Sequence, residues 1–247
     1  MNRFTKMVFI EWKLNNRNFM NLFFSLAFPM MMLLLFGSMY GNEPDDFFGG
    51  FGMVDVSVPG YLCMIIAVAG LMTLPLTLAQ YRERKILKRF MVTPVKPLDL
   101  LMSQLIVNAI TTFLGTILLL LVGKIVFKTH FYGRIIPTLA AYLLIILSIF
   151  VIGLFIAGIA KNAKMATAIS YIIYFPMLFL SGATMPLEAM PTGVANISKI
   201  LPLTYGVRLL KGVWLGGKFF DYANEIIVLL LMVVVLGLLS LKFFKWE

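Results

Sequence analysis

The chain has 247 residues, of which 61% are hydrophobic and 13% charged, and its formal net charge is +10. Soluble domains average about 45–50% apolar and about 25% charged residues. The composition therefore excludes a single water-exposed globule and makes the bilayer part of the solvent. The bases cluster at the ends of apolar runs, where they act as topology signals. Membrane lipid is thus an expected partner and nucleic acid is not.

In chain order, residues 1–18 read as a basic amphipathic helix lying along the membrane surface. On a helical wheel Phe4, Met7, Val8, Trp12 and Leu14 share one side and Arg3, Lys6, Lys13 and Arg17 the other. Glu11 falls on the apolar side. Six later runs are long enough to cross the hydrocarbon core as helices, at 19–40, 58–79, 100–127, 135–160, 165–185 and 225–244. The first exceeds a signal-peptide core and reads as a retained span. None shows the alternation of a membrane barrel. The expected fold is an all-α membrane protein with six transmembrane helices in one domain, 1–247.

Fourteen Lys and Arg fall on the side of the termini and seven on the other, which predicts that both termini are cytoplasmic. The connection between the first two runs carries Glu43, Asp45, Asp46 and Asp55 and no base. It reads as a solvated, irregular outer loop. Residues 186–223 are too apolar for free solvent and are broken by Pro186, Pro191 and Pro202. Short helices re-entering the outer face are expected there.

The second and third runs are joined by "YRERKILKRF", with five bases and one acid in ten residues. Taken as a helix over 81–91, it places Ile86, Leu87, Phe90 and Met91 on one side and Arg82, Arg84, Lys85, Lys88 and Arg89 on the other. Glu83 then lies in the middle of the apolar side, where a carboxylate requires a cation or several hydrogen-bond donors. A lipid-facing helix offers neither, so the segment reads as a protein-docking helix. Pro94 and Pro97 end it, and Asp99 is a plausible N-cap for the third span.

The segment "YRERKILKRFMVTPVKPLDLLMSQLI" resembles the cytoplasmic loop of type-2 ABC transporter permeases through Glu83, Leu87, Arg89, Thr93, Pro94 and Val95. It departs at Lys85 and Ile86, where Gly-Thr is usual, and at Phe90, where Leu is usual. A second resemblance lies downstream, in Ser181, Gly182, Pro186 and Pro191 followed by Pro202, Thr204 and Tyr205. Together with the six spans it covers nearly the whole chain.

The resemblance implies a division of labour. A cytosolic ABC ATP-binding subunit would hold the ATP and Mg and dock beneath this chain. The N-terminal segment, with Glu11, Trp12 and Lys13, would be a connecting helix. Residues 81–91, with Arg82, Glu83, Ile86, Leu87, Arg89, Phe90 and Pro94, would be the coupling helix. A second copy or a related permease would complete a homodimer or heterodimer in the bacterial plasma membrane. The closest branch is drug export, which implies a lipophilic or amphiphilic compound, such as an antibiotic, as cargo. Lipid or polysaccharide export is the alternative within the family.

No G-x-x-x-x-G-K-[ST] loop is present; "GKIVFKT" lacks the rest of that motif. ATP hydrolysis is therefore assigned to another polypeptide, and no cofactor or metal to this one. One cysteine, Cys63, and one histidine, His130, argue against an all-protein zinc site. No run has a carboxylate near its middle, which argues against a proton-coupled transporter or ATP-independent channel. The remaining polar residues read first as helix packing. Thr73, Thr77 and Asn108, with Phe175 and Phe179, are the candidates for a substrate path. The 22 Phe and 17 Met suit a soft surface for varied amphiphiles. Pro29, Pro75 and Pro176 predict kinks.

Overall fold

A computed structural model describes residues 3–86 and 97–243. Among the described residues most are helical, and the strands are confined to a two-residue ladder, Pro44–Asp45 against Phe51–Gly52. Six helices are long and apolar enough to cross a membrane: Phe23–Tyr40, Met53–Glu83, Leu98–Phe127, Ile135–Ile159, Ala163–Leu180 and Phe219–Phe243. These are spans one to six. An N-terminal helix, Arg3–Asn15, precedes them, and two short helices, Thr192–Ser198 and Pro202–Trp214, lie between spans five and six. The all-α membrane fold expected from the sequence is the fold found.

Span two is the post around which the bundle is built. Almost every residue from Met53 to Leu74 is buried, including Cys63. Its middle, Val68–Thr73, widens into a π-helical turn just before Pro75. Span one does the same at Phe23–Ala27, just before Pro29. Proline cannot donate the usual backbone hydrogen bond and crowds the preceding turn, and the wider turn absorbs both effects. Two of the three expected proline kinks thus have a visible backbone cause.

The π-turn also lets two backbones meet. A Cβ built on Gly153 of span four would lie 1.9 Å from the Gly70 carbonyl oxygen, and one on Gly60 would lie 2.8 Å from the Ala183 carbonyl oxygen. Apolar tails drive helices together no better than lipid does, so small residues at such crossings carry much of the packing.

The two ends of the bundle differ. At one, the basic end, the N-terminal helix lies against the start of span three and the end of span two. At the other, the distal end, Pro202–Trp214 buries one whole face against spans two, four and six. Between Pro186 and Ala223 lie the short helices Leu187–Ala189, Thr192–Ser198 and Pro202–Trp214. Gly182 sits at φ +88, where only glycine is unstrained, and turns the chain at the end of span five. Pro202 starts the longer helix, the Thr204 hydroxyl donates to the Ser198 carbonyl, and the Tyr205 hydroxyl donates to the Lys199 carbonyl. Glu188 pairs with Lys211 at 2.8 Å. Partial burial alone would raise that carboxyl, but the ammonium outweighs it and leaves Glu188 below its ordinary value.

Asp55 departs from the solvated loop expected of it. Span two begins at Met53, so Asp55 lies in its first turn and is 1% exposed. Its carboxylate accepts from the Asn42 side chain and the His130 backbone N–H, both at 2.9 Å, and from the Tyr132 hydroxyl at 3.3 Å. This acid ties the loop after span three to the start of span two.

Replacing Gly153 with alanine puts a methyl against the Gly70 carbonyl and should destabilise the bundle by about 1–3 kcal/mol, the usual range for overpacking. The check is thermal unfolding of the detergent-solubilised protein. An unchanged midpoint would show that spans two and four can part without loss.

Candidate functional site

At the basic end, three sets of polar bonds fasten separate elements together. The first centres on Glu11, which is 6% exposed on the inward side of the N-terminal helix beside Met7. Its Oε2 accepts from the Tyr81 hydroxyl at 2.5 Å and from the Gln104 side-chain amide at 2.6 Å. Burial raises the Glu11 carboxyl above its ordinary value, and the two hydrogen bonds offset part of that. The apolar side of the wheel on which Glu11 fell is thus partly a protein-facing side. Phe9, Ile10 and Leu14 remain exposed on the same helix, where a membrane surface would cover them. Trp12 is half-buried and Lys13 exposed.

The second set continues inward. The Asn15 amide donates to the Thr111 hydroxyl at 3.0 Å, the Asn21 amide donates to Asn15 Oδ1 at 2.6 Å, and the Thr73 hydroxyl donates to Asn21 Oδ1. The N-terminal helix is thereby linked through span one's leading segment to spans two and three.

The third set lies at the end of span two. Arg82 Nη1 donates to the Ala160 carbonyl oxygen at 2.9 Å, and Glu83 Oε2 accepts from the Ala163 N–H at 2.9 Å. Ala160 closes span four and Ala163 opens span five. A cation thus meets a helix C-terminus and an anion a helix N-terminus, the favourable sign at each. Asn162 caps the same N-terminus by accepting from the Met165 N–H at 2.8 Å.

This geometry corrects the sequence-based wheel. The helix of span two runs through Glu83, Arg84 and Lys85 form a turn, and Ile86 follows. A single helix over 81–91 would cross that break, so Glu83 is not at the centre of an apolar face. It is exposed, and its partner is a backbone N–H of this chain. Lys85 has φ 54, the left-handed region that costs a side-chain-bearing residue about 1–2 kcal/mol. It is one of the positions where the sequence departs from the usual Gly-Thr. Leu87, Arg89, Phe90 and Pro94 lie outside the described residues.

The candidate path residues separate into two groups. Thr73 and Thr77 line a crevice of about 100 Å³ between spans one, two and five, with Asn21, Gln80 and Tyr171 on its other walls. The buried Ser170 hydroxyl, also at this crevice, has no hydrogen-bond partner. Phe175 and Phe179 are exposed along span five and continue from Tyr171 as a ladder of rings, 5.7 Å and then 6.5 Å apart. Asn108 is not among them. It is 1% exposed in span three and donates to the Gln104 carbonyl within its own helix. Sequence reasoning missed Tyr171, although its four-residue spacing from Phe175 and Phe179 was visible.

The profile of the ABC-2 type transporter family matches residues 3–215. The chain belongs to that family. Among curated relatives, it is 25% identical over 188 residues to the probable multidrug ABC transporter permease YbhS of Escherichia coli, covering 75% of this chain and 50% of YbhS. It is 22% identical over 189 residues to YbhR of the same organism, also named a probable multidrug ABC transporter permease, with 76% and 51% covered. It is 25% identical over 209 residues to the putative transport permease ycf38 of Cyanophora paradoxa, with 83% and 71% covered. The chain spans about half the length of the two Escherichia coli relatives. It is a multi-pass membrane protein of the ABC-2 type. Among the described residues, no three His, Cys, Asp or Glu are grouped to hold a metal ion.

The raised Glu11 pKa makes a signed prediction. The folded permease holds the Glu11 proton more tightly than the unfolded chain does. Stability should therefore be highest at acid pH and fall as pH rises from the ordinary carboxylate range through the raised value. Glu11→Gln keeps an acceptor for Tyr81 and should remove this part of the pH dependence. Thermal midpoints of both proteins across pH 4 to 8 check it; parallel curves would refute it.

Proposed function

We propose that this permease is the membrane half of an ABC exporter that moves lipophilic or amphiphilic compounds, a drug or antibiotic among them, out of the cell. ATP and Mg would be bound and hydrolysed by a separate cytosolic ABC subunit. A second permease, identical or related, would complete the membrane unit in the bacterial plasma membrane, with the basic end in the cytoplasm.

The observation that carries this reading is the wiring of the basic end. Glu11 joins the N-terminal helix to spans two and three, and Arg82 and Glu83 join span two to spans four and five. A force applied to this end would reach four spans together, as a machine driven from outside the membrane requires. The crevice lined by Thr73 and Thr77 leads to the rings of Phe175 and Phe179, which offers a polar head hydroxyl and amide partners and an apolar body an aromatic track. The names of the Escherichia coli relatives favour drugs over polysaccharide as cargo.

The residues named for coupling take specific parts in this reading. Glu11, Trp12 and Lys13 belong to the connecting helix. Arg82, Glu83 and Ile86 stand at the junction between span two and the segment to which the family resemblance assigns the coupling residues Leu87, Arg89, Phe90 and Pro94. ATP-driven closure beneath that segment would tilt span two and, through Glu83, the start of span five. The crevice between them would then open and close.

The direct test is co-purification of the permease with a cytosolic ABC ATP-binding protein from its own organism, then reconstitution in vesicles. Export of a fluorescent amphiphile should depend on ATP. Glu83→Ala should lower export per ATP hydrolysed several-fold while the protein still reaches the membrane. Wild-type export from that variant would reduce Glu83 to a helix cap, and ATP-independent export by the permease alone would overturn the whole reading.

A further inference from the structure

A cavity of about 520 Å³ opens between spans three and four near the distal end, well away from the crevice described above. It is within the range of small-ligand sites. Phe113, Thr116, Leu120 and Lys124 line it from span three at intervals of three, four and four residues, one stripe about 16 Å long. Span four supplies the opposite wall through Tyr142 and Leu139, and Leu210 and Trp214 close the back. The flanking surface is apolar and outward-facing: Ile135 is 75% and Leu139 47% exposed, both within a membrane span. The cavity therefore opens sideways, to the bilayer.

Its polar groups are unbalanced. The Thr116 and Tyr142 hydroxyls bond each other, and the Thr138 hydroxyl donates to the Arg134 carbonyl, so these are satisfied within the protein. Two donors are left. Lys124, at the distal end of the stripe, donates to the Thr129 carbonyl at 3.3 Å and has no carboxylate within ion-pair distance among the described residues. Trp214 is 6% exposed, and its buried indole N–H has no acceptor. No acidic side chain lines the cavity. A cation without a carboxylate and an indole N–H without an acceptor, on the walls of a long apolar slot open to lipid, suit an acyl chain that carries an anionic head.

We infer that this cavity binds a membrane phospholipid with an anionic headgroup, its acyl chain along the Phe113–Lys124 stripe and its phosphate at Lys124. Lys124 lies one turn from the end of span three, the depth at which a headgroup meets a lysine. The lipid would wedge spans three and four against the Pro202–Trp214 helix and so bear on the distal end from the side. The site stands apart from the proposed transport path, and its test does not require transport.

The test is native mass spectrometry of the purified full chain, titrated with phosphatidylglycerol and with phosphatidylcholine of matched acyl chains. Phosphatidylglycerol should be retained preferentially. Lys124→Gln, a change at an exposed side chain, should lower that preference about fivefold, the effect of one lysine near an anionic lipid surface. Leu139→Trp, at the mouth, should reduce retention of both lipids, and inorganic phosphate alone should not displace the lipid. Equal binding of the two lipids by the wild-type protein, an unchanged preference in Lys124→Gln, or displacement by inorganic phosphate would each overturn the proposal.

Discussion

The close approach of Gly70 and Gly153 is the constraint on which the bundle rests. With a Cβ at position 153 only 1.9 Å from a carbonyl oxygen, spans two and four can meet at this depth only as bare backbones. That contact draws span two into the centre. Span two then contributes the main core cluster, receives the re-entrant helix at its distal end and carries the polar junction at its basic end. The π-turn at Val68–Thr73 belongs to the same arrangement, because it offers the Gly70 carbonyl to span four just before Pro75.

Polar groups in such a molecule stay where the protein can satisfy them, since lipid cannot. Glu11 has Tyr81 and Gln104, Asp55 has Asn42, His130 and Tyr132, and Arg82 and Glu83 have the ends of two helices. Asp55, Arg82 and Glu83 sit at the ends of span two and Glu11 on the N-terminal helix, and together they hold neighbouring elements in fixed relation. The basic end is joined by side-chain bonds between elements distant in sequence. The distal end is joined by the buried face of Pro202–Trp214 and by Asp55. A molecule that transmits motion from one end to the other needs both joints to be stiff and the crevice between them to be soft.

Much of this was legible in the residues. The runs of apolar side chains gave six spans, and six helices long and apolar enough to span are found; span two starts five residues earlier than the run, span five ends five earlier and span six starts six earlier. The inward placement of Glu11 followed from its position on a wheel, because residues 3–15 do form one helix. The same reasoning failed for Glu83 because the turn at Arg84 and Lys85 interrupts the period, and periodicity has no meaning across a break. The break falls at Lys85, with φ 54, which is also where the sequence departs from the Gly-Thr of the pattern it resembles. Asp55 looked like one more loop acid because nothing local reveals that the loop after span three folds back onto it.

Length, hydropathy and charge by themselves determined that the chain crosses a membrane six times as helices. The reason is that a backbone in lipid must bond to itself, and few segments satisfy that rule. The two motifs determined the family. Only the tertiary structure decided which side chains meet. It paired Glu11 with Tyr81 and Gln104 across 70 and 93 residues, put Glu83 on the first N–H of span five, and brought Lys124 and Trp214 to the walls of one lateral cavity. Such pairings depend on how helices of nearly uniform hydropathy rotate and cross, and that is set by a few small residues and by hydrogen bonds between distant segments.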